Sequence, residues 1–93
     1  MTVEETIRLK LEAALAPLEL EVVNESHLHR GHAGSPGTGH SHFRLRVVAE
    51  AFRGMSRVDC HRRVNAILAE ELANAVHALA ITASAPKPQA LAP

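Results

Sequence analysis

The order of hydrophobic periodicities between residues 43 and 84 constrains the fold more than any other feature of the chain. Residues 43–49 (FRLRVVA) come close to the apolar–polar alternation of a strand with one buried face. A helical pattern follows, and residues 76–84 (VHALAITAS) then read as a strand buried on both faces, because both alternating sets are mostly apolar. Strand, helix and strand in one sheet form a right-handed parallel crossover. The sequence therefore predicts a sheet that contains a parallel pair.

Two further elements precede this unit. Residues 2–5 (TVEE) match a capping box, and apolar side chains then recur at helical spacing until Pro17. Residues 18–23 (LELEVV) alternate with a period close to two, which predicts a strand with one buried face and a long hairpin to the next strand. In the later helix, Ser56 and Asp59 form the cap, and the apolar stripe consists of Cys60, Val64, Ile67, Leu68 and Leu72.

These elements predict an α+β fold with the order α-β-β-α-β, in which helices cover one face of a three-stranded mixed sheet. The 93 residues leave room for one modest core, which must be aliphatic because the chain has two Phe and no Trp or Tyr. We expect a single domain over residues 1–85. The Pro- and Ala-rich segment 86–93 is predicted to be a disordered tail.

Charge and cysteine content limit the classes of partner. Ten Lys and Arg balance ten Asp and Glu, so the chain has no overall positive field for a nucleic acid or an anionic membrane. Its single cysteine cannot form an internal disulfide, which is typical of a reducing compartment. The N-terminus has no signal-peptide pattern, and no apolar run approaches the length that spans a bilayer. We therefore expect a cytoplasmic protein with no membrane contact.

Five of the seven histidines lie between residues 24 and 43, among glycines and a proline. Their H-x-H-x-x-H spacing lacks the order of a preassembled zinc site, so they are either solvated loop residues or ligands that need a fixed partner. The pattern offers His61, on the second helix, as that partner, although a packed core histidine is the more usual role for such a residue. Cys60 beside it is either a small buried hydrophobe or a thiolate favoured by the helix N-terminus.

The chain resembles the BolA-like family from Val3 to Thr82, through LEVVNESHLHRGHAG, SHFRLRVV, FRG, the HRRVN…LAEEL helix and VHALAI. The resemblance implies a fold similar to a type II KH domain. It also implies a partner, a CGFS-type monothiol glutaredoxin, with which a [2Fe–2S] cluster is shared for cluster trafficking, assembly or iron regulation. The partner would supply its cysteine and a bound glutathione.

The resemblance also implies two cluster ligands in this chain. His61 matches the family's histidine at the start of the second helix, and His29 matches the ligand in the loop, although His27 and His32 lie close enough to compete. His42 matches a family position too, but strand alternation favours a structural role for it. Cys60 stands where the family usually has Arg, and a thiol there is either an alternative ligand, a redox-sensitive neighbour or a packed side chain.

Two other functions remain open at this point. A KH-like fold suggests a nucleic-acid-binding transcription regulator, and Arg53, Arg57, Arg62 and Arg63 form a basic cluster, but the turn at Gly54 lacks the second glycine of a G-x-x-G loop. An adaptor that binds glutaredoxin without a cluster is a further alternative. The sequence also leaves open whether the chain forms a homodimer. An enzyme is disfavoured because Cys60 and His61 point about 100° apart on a helix and no other catalytic motif occurs.

Overall fold

The computed structural model describes residues 2–25 and 42–87. Their elements, in chain order, are helix α1 (Val3–Leu15), strand β1 (Glu19–Asn24), strand β2 (His42–Val48), a 3-10 turn (Glu50–Phe52), helix α2 (Arg57–Ile67), helix α3 (Ala69–Asn74) and strand β3 (Ala78–Ser84). The predicted α+β class and mixed three-stranded sheet are confirmed. The tail beyond residue 87 lies outside the described residues.

Both predicted helix starts are capped as the sequence indicates. The Thr2 hydroxyl accepts from the Glu5 amide while the Glu5 carboxylate accepts from the Thr2 amide, which completes the capping box. The Ser56 hydroxyl accepts from the amide of Asp59 at 3.1 Å. The first helix ends at Leu15, two residues before Pro17. The next residue, Ala16, adopts the left-handed conformation with φ of 45° and caps the helix.

Strand β2 lies at the centre of the sheet, in the order β1-β2-β3. It pairs antiparallel with β1 and parallel with β3. The inward side chains of β2 and its extension, which are Phe43, Leu45, Val47 and Ala49, are all at most 2% exposed. They pack against buried residues from the helical part of the chain, among them Ile7, Leu11, Val64 and Leu68. Most core side chains are aliphatic, but both phenylalanines, Phe43 and Phe52, are buried there as well, so the core is not purely aliphatic as expected.

The structure corrects two expectations about strand burial. Strand β3 is an edge strand and is not buried on both faces. Its alternate residues Leu79, Ile81 and Ala83 pack on the core, whereas the other set is exposed: Ala78, Ala80, Thr82 and Ser84. The described helices cover one sheet face, so an alanine-rich outer set stays in contact with solvent. Leu18, predicted to open the first strand on its buried face, precedes β1 and is 65% exposed.

The predicted second helix is divided into two. Leu68 has φ of −101° and ψ of 17°, outside the helical range, and it separates α2 from α3. No glycine or proline marks this break, and Leu68 itself is 1% exposed in the core.

Within the described ranges, no helix has the length and apolar character needed to cross a membrane.

Candidate metal-ligand site

Two histidines meet where the segment between β1 and β2 returns to the sheet. The imidazole centroids of His42 and His77 lie 5.3 Å apart, with their planes tilted by 57°. His42 is 8% exposed, whereas His77 is exposed to solvent. The amide of Glu25 donates to the carbonyl of His42 at 2.8 Å, so both ends of the segment 26–41 are held beside this pair. We call His42 and His77 the loop-base pair.

The parallel strand pairing explains why these two residues are neighbours. The first residue of β2, His42, pairs with Ala78, the first residue of β3, and His77 precedes Ala78 directly. The starts of two adjacent parallel strands lie at the same end of the sheet. The predicted parallel crossover was therefore sufficient to place His77 beside His42, and this is the residue that the sequence reasoning overlooked.

His61 lies elsewhere on the surface. It is half-buried on α2 and lines a groove with Arg57 and with residues 81–84 of β3. Along a strand at about 3.3 Å per residue, Ile81 is roughly 10 Å from Ala78, the residue that pairs with His42. The structure thus keeps His61 apart from the loop-base pair. His27, His29, His32 and His40 lie outside the described residues, so the predicted contact between His61 and a loop histidine stays a prediction.

Cys60 is a core residue, as expected if it acts as a small buried hydrophobic side chain. Its side chain is 3% exposed and belongs to the hydrophobic cluster between the helices and the sheet. Burial, followed by the nearby carboxylate of Asp59, raises the pKa of the thiol above its ordinary value of 9.0. The expectation that a thiolate is favoured here is therefore wrong, because burial and the Asp59 carboxylate both raise the pKa of the thiol.

The four arginines predicted as a basic cluster are not equally available. Arg53 forms a two-pronged contact with Glu50, with nitrogen–oxygen distances of 2.7 and 2.9 Å. Arg62 lies 3.8 Å from the carboxylate of Asp59. Arg57 and Arg63 are exposed and make no side-chain hydrogen bond or ion pair with another described residue. The unpaired positive charge of this region is thus reduced to two arginines.

The chemistry of the loop-base pair fits one or two ligands of a shared iron–sulfur cluster. Histidine nitrogen replaces cysteine sulfur as an iron ligand in some [2Fe–2S] centres. His77 is accessible, is held at the start of a strand, and lies next to the anchored ends of a histidine-rich segment. Over residues 2–25 and 42–87, no group of three or more potential ligand residues could hold a metal ion without help. Any such centre needs further donors from segment 26–41 or from another molecule.

Comparison with known proteins identifies the family. The family model described as BolA-like protein matches residues 11–88. Human BolA-like protein 1 is 54% identical over 84 residues, which cover 90% of this chain and 58% of the human protein. A Vibrio cholerae protein described as DNA-binding transcriptional regulator BolA is 46% identical over 79 residues, covering 85% of this chain and 71% of that protein.

The fold agrees with this assignment. The solved structure of BolA1 from Arabidopsis thaliana superimposes with a TM-score of 0.83 at 38% identity, covering 92% of this chain and 94% of that one. The chain spans little more than half the length of the human relative. The family match extends over most of the elements described above, including both members of the loop-base pair. This chain belongs to the BolA-like protein family.

Proposed function

We propose that this chain is a non-enzymatic iron–sulfur partner that binds a CGFS-type monothiol glutaredoxin and shares a [2Fe–2S] cluster with it, in cluster trafficking, cluster assembly or iron regulation. The observation that carries the proposal is His77, an exposed imidazole fixed beside the anchored ends of a segment with four further histidines. A cluster shared between two proteins fits the incomplete set of ligands found in residues 2–25 and 42–87.

In this proposal one ligand comes from the histidine-rich segment and one from the folded domain. His29 is the proposed loop ligand, with His27 and His32 as competitors. For the fixed ligand there are two candidates: His61, implied by the family resemblance, and His77. We favour His77 because it contacts His42, the residue that follows the segment 26–41 and is hydrogen-bonded to Glu25 before it, whereas His61 lies beside the far half of β3.

In this proposal, residues of the chain itself position the histidine ligand of the cluster. The β2–β3 ladder begins at Ala78 and fixes the backbone directly after His77, and the buried ring of His42 lies beside the His77 ring. The cluster itself provides the redox and iron chemistry. In this proposal, partner cysteine and glutathione sulfur would complete its coordination, and His29 would be the second ligand from this chain.

The test combines the purified chain with a CGFS-type monothiol glutaredoxin, glutathione, iron and sulfide, followed by visible absorption and circular dichroism. The wild-type chain is expected to convert the glutaredoxin cluster spectrum into that of a new mixed complex. His77→Ala and His29→Ala are expected to abolish or strongly alter it, while His61→Ala leaves it unchanged. His40→Ala is the control, because it removes a histidine from the same segment outside the predicted ligand group.

Each other result has a definite meaning. Loss of the spectrum with His61→Ala alone would restore the assignment made from the resemblance. A complex that forms equally well without iron, with no new spectrum, would favour an adaptor. Failure of every histidine variant to change the spectrum would refute ligation by this chain.

A nucleic-acid-binding regulator is the second candidate, because the similar Vibrio cholerae protein is described as a DNA-binding transcriptional regulator. Against it, two of the four clustered arginines contact acidic neighbours. Binding through phosphate contacts imposes a steep salt dependence. Affinity for a defined duplex DNA between 50 and about 200 mM salt tests it, with Arg57→Ala expected to weaken binding of all sequences alike if this candidate is correct.

A further inference from the structure

The outer edge of β3 is an unprotected strand edge. Among the described residues, β3 pairs only with β2. The amide of Ala49 donates to the carbonyl of Ser84 at 3.0 Å, so the backbone of Ser84 points towards β2. Because backbone direction alternates along a strand, the N–H and C=O groups of Leu79, Ile81 and Ala83 point away from β2. Three donors and three acceptors are thus presented along this edge.

The sequence of β3 lacks the features that usually block such an edge. Native edge strands carry lysine, proline, bulges or inward charges that prevent another strand from pairing. From Ala78 to Ser84 the strand has seven regular residues with no charge and no proline. The first proline and lysine follow only at Pro86 and Lys87. An open edge of this length either binds a partner or exposes the protein to unwanted pairing with other strands.

A groove of about 440 Å³ runs along this edge. It is lined by Ile81, Thr82, Ala83 and Ser84, four consecutive residues whose side chains alternate between the two sheet faces. Consecutive residues can line one groove only where it follows the strand edge, and the opposite edge is closed by β2. The far wall is formed by Arg57 and His61 at the start of α2.

The charge of the far wall favours an anionic occupant. Arg57 is exposed, His61 is half-buried, and neither side chain has a hydrogen bond or ion pair with another described residue. Both therefore have donors to offer a carboxylate. The N-terminal end of α2, where Arg57 is the first residue, adds a partial positive charge.

We propose that the free edge of β3 binds an extended acidic peptide segment of a partner protein, which adds a fourth strand to the sheet while Arg57 and His61 contact one of its carboxylates. Main-chain hydrogen bonds supply affinity in this mode of recognition, and flanking side chains supply specificity. A single-stranded nucleic acid is disfavoured because the groove contains no Phe, Tyr or Trp, and His61 alone is not a platform for stacking successive bases. The site is separate from the loop-base pair and does not depend on a cluster.

The test uses the full chain and a synthetic library of linear heptapeptides with a fixed central Glu, alongside a matched library with a central Lys. Selected peptides are titrated into the isotope-labelled chain and followed by NMR and amide hydrogen exchange. We expect peptides from the Glu library only. Their binding should slow exchange at Leu79, Ile81 and Ala83 by tenfold or more, because these amides have no partner in the sheet.

Two variants separate the groove from general charge. Arg57→Glu reverses a charge in the groove and is expected to weaken peptide binding at least tenfold. Arg63→Glu makes the same change on the same helix outside the groove, and its binding should stay within twofold of wild type. Both positions are exposed, so circular dichroism is expected to show an intact fold for each.

Several outcomes would overturn the proposal. These are no selection from the Glu library, equal binding by the Arg57→Glu variant, or exchange protection outside β3. Protection of the same amides by raising the concentration of the chain alone, with no peptide binding, would assign the edge to a second copy. Binding of a (dT)12 oligonucleotide that depends on Arg57, without peptide binding, would assign the groove to nucleic acid.

Discussion

At the scale of single residues, Cys60 shows how burial overrides position. It lies in the first turn of α2, where a helix N-terminus favours negative charge, yet its thiol belongs to the core. Desolvation raises its pKa, and the thiolate is the reactive form of cysteine. A packed thiol of this kind is a poor metal ligand and a poor redox sensor, so the cluster chemistry proposed above does not involve it.

The first prediction concerns the reactivity of Cys60. Alkylation by iodoacetamide at pH 7 should be at least about tenfold slower in the native chain than in the denatured chain, because burial keeps the thiol protonated and covered. Mass spectrometry of timed samples measures the difference. Equal rates in the two states would show that the thiol is accessible and would reopen its role as a ligand.

The sign of the pKa shift gives a further check on the same residue. A thiol pKa raised in the native state means that its contribution to stability is complete below pH 9.0 and is lost as pH rises through the raised value. The free energy of unfolding of the wild type should therefore fall relative to that of Cys60→Ala above about pH 9. Denaturant titrations of both proteins from pH 7 to pH 10.5 measure this, and a constant difference contradicts it.

A second prediction concerns the ion pair between α1 and α3. Lys10 Nζ donates to Glu71 Oε2 at 2.7 Å, and Glu71 is 8% exposed. This hydrogen bond raises the pKa of Lys10. Lys10→Met should destabilise the protein, since it leaves a buried carboxylate without its charged partner. The double variant Lys10→Met/Glu71→Leu should recover much of the loss, and a double-mutant cycle by chemical denaturation gives the coupling.

At the scale of elements, β2 is the strand around which the sheet and the core are built. It is the central strand, and both neighbours pair with it over six or seven residues. The sequence of β2 shows a clear apolar–polar alternation, because one face of the strand packs against the helices and the other face carries arginines. Arg44 and Arg46 cross to Glu25 and Glu19 on that outer side, at 3.0 and 2.8 Å. These exposed pairs help to set the β1 register more than they stabilise the fold.

The third prediction tests this central role. Leu45→Ala removes a fully buried side chain from the middle of β2 and should lower the free energy of unfolding by about 2–5 kcal/mol. Leu9→Ala is the matched control, because the Leu9 side chain is 52% exposed on α1. Its effect should stay within about 0.5 kcal/mol. Urea denaturation followed by circular dichroism measures both, and similar losses would mean that burial does not decide the outcome.

The elements that the sequence pattern predicted well are those whose signal is local. The caps at Thr2 and Ser56 depend on side chains three residues apart, so their form follows from the sequence. The break at Leu68 and the exposed face of β3 depend on what packs against them, which no local pattern contains. His77 was overlooked for a related reason: its neighbour His42 is brought to it by strand pairing rather than by sequence separation.

At the scale of the whole molecule, the charge balance is set by pH. Formal charge is zero with neutral histidines, and the chain has seven of them. Histidine side chains ordinarily gain a proton as pH falls through about 6.5. Protonation of histidines makes the net charge positive, and four of the seven lie in the segment 26–41.

The fourth prediction follows from this change. Binding of a random duplex DNA should be negligible at pH 8 and should become measurable at pH 5.5, with a strong dependence on salt and no preference for sequence. Fluorescence anisotropy at both pH values and two salt concentrations measures it. Sequence-selective binding at pH 8 would contradict this expectation and would support the regulatory candidate.

The hydrogen bond between Glu25 and His42 has a consequence for how such a protein can diverge. It closes the sheet at the point where the segment 26–41 leaves and returns, so the strand register is already determined without that segment. Each doubling in the length of a flexible connection costs only about 0.6 kcal/mol. Changes of length or of histidine content between Glu25 and His42 should therefore leave the pairing of β1 with β2 intact. Under the function proposed above, the domain could then change its affinity for a cluster while it keeps the same architecture.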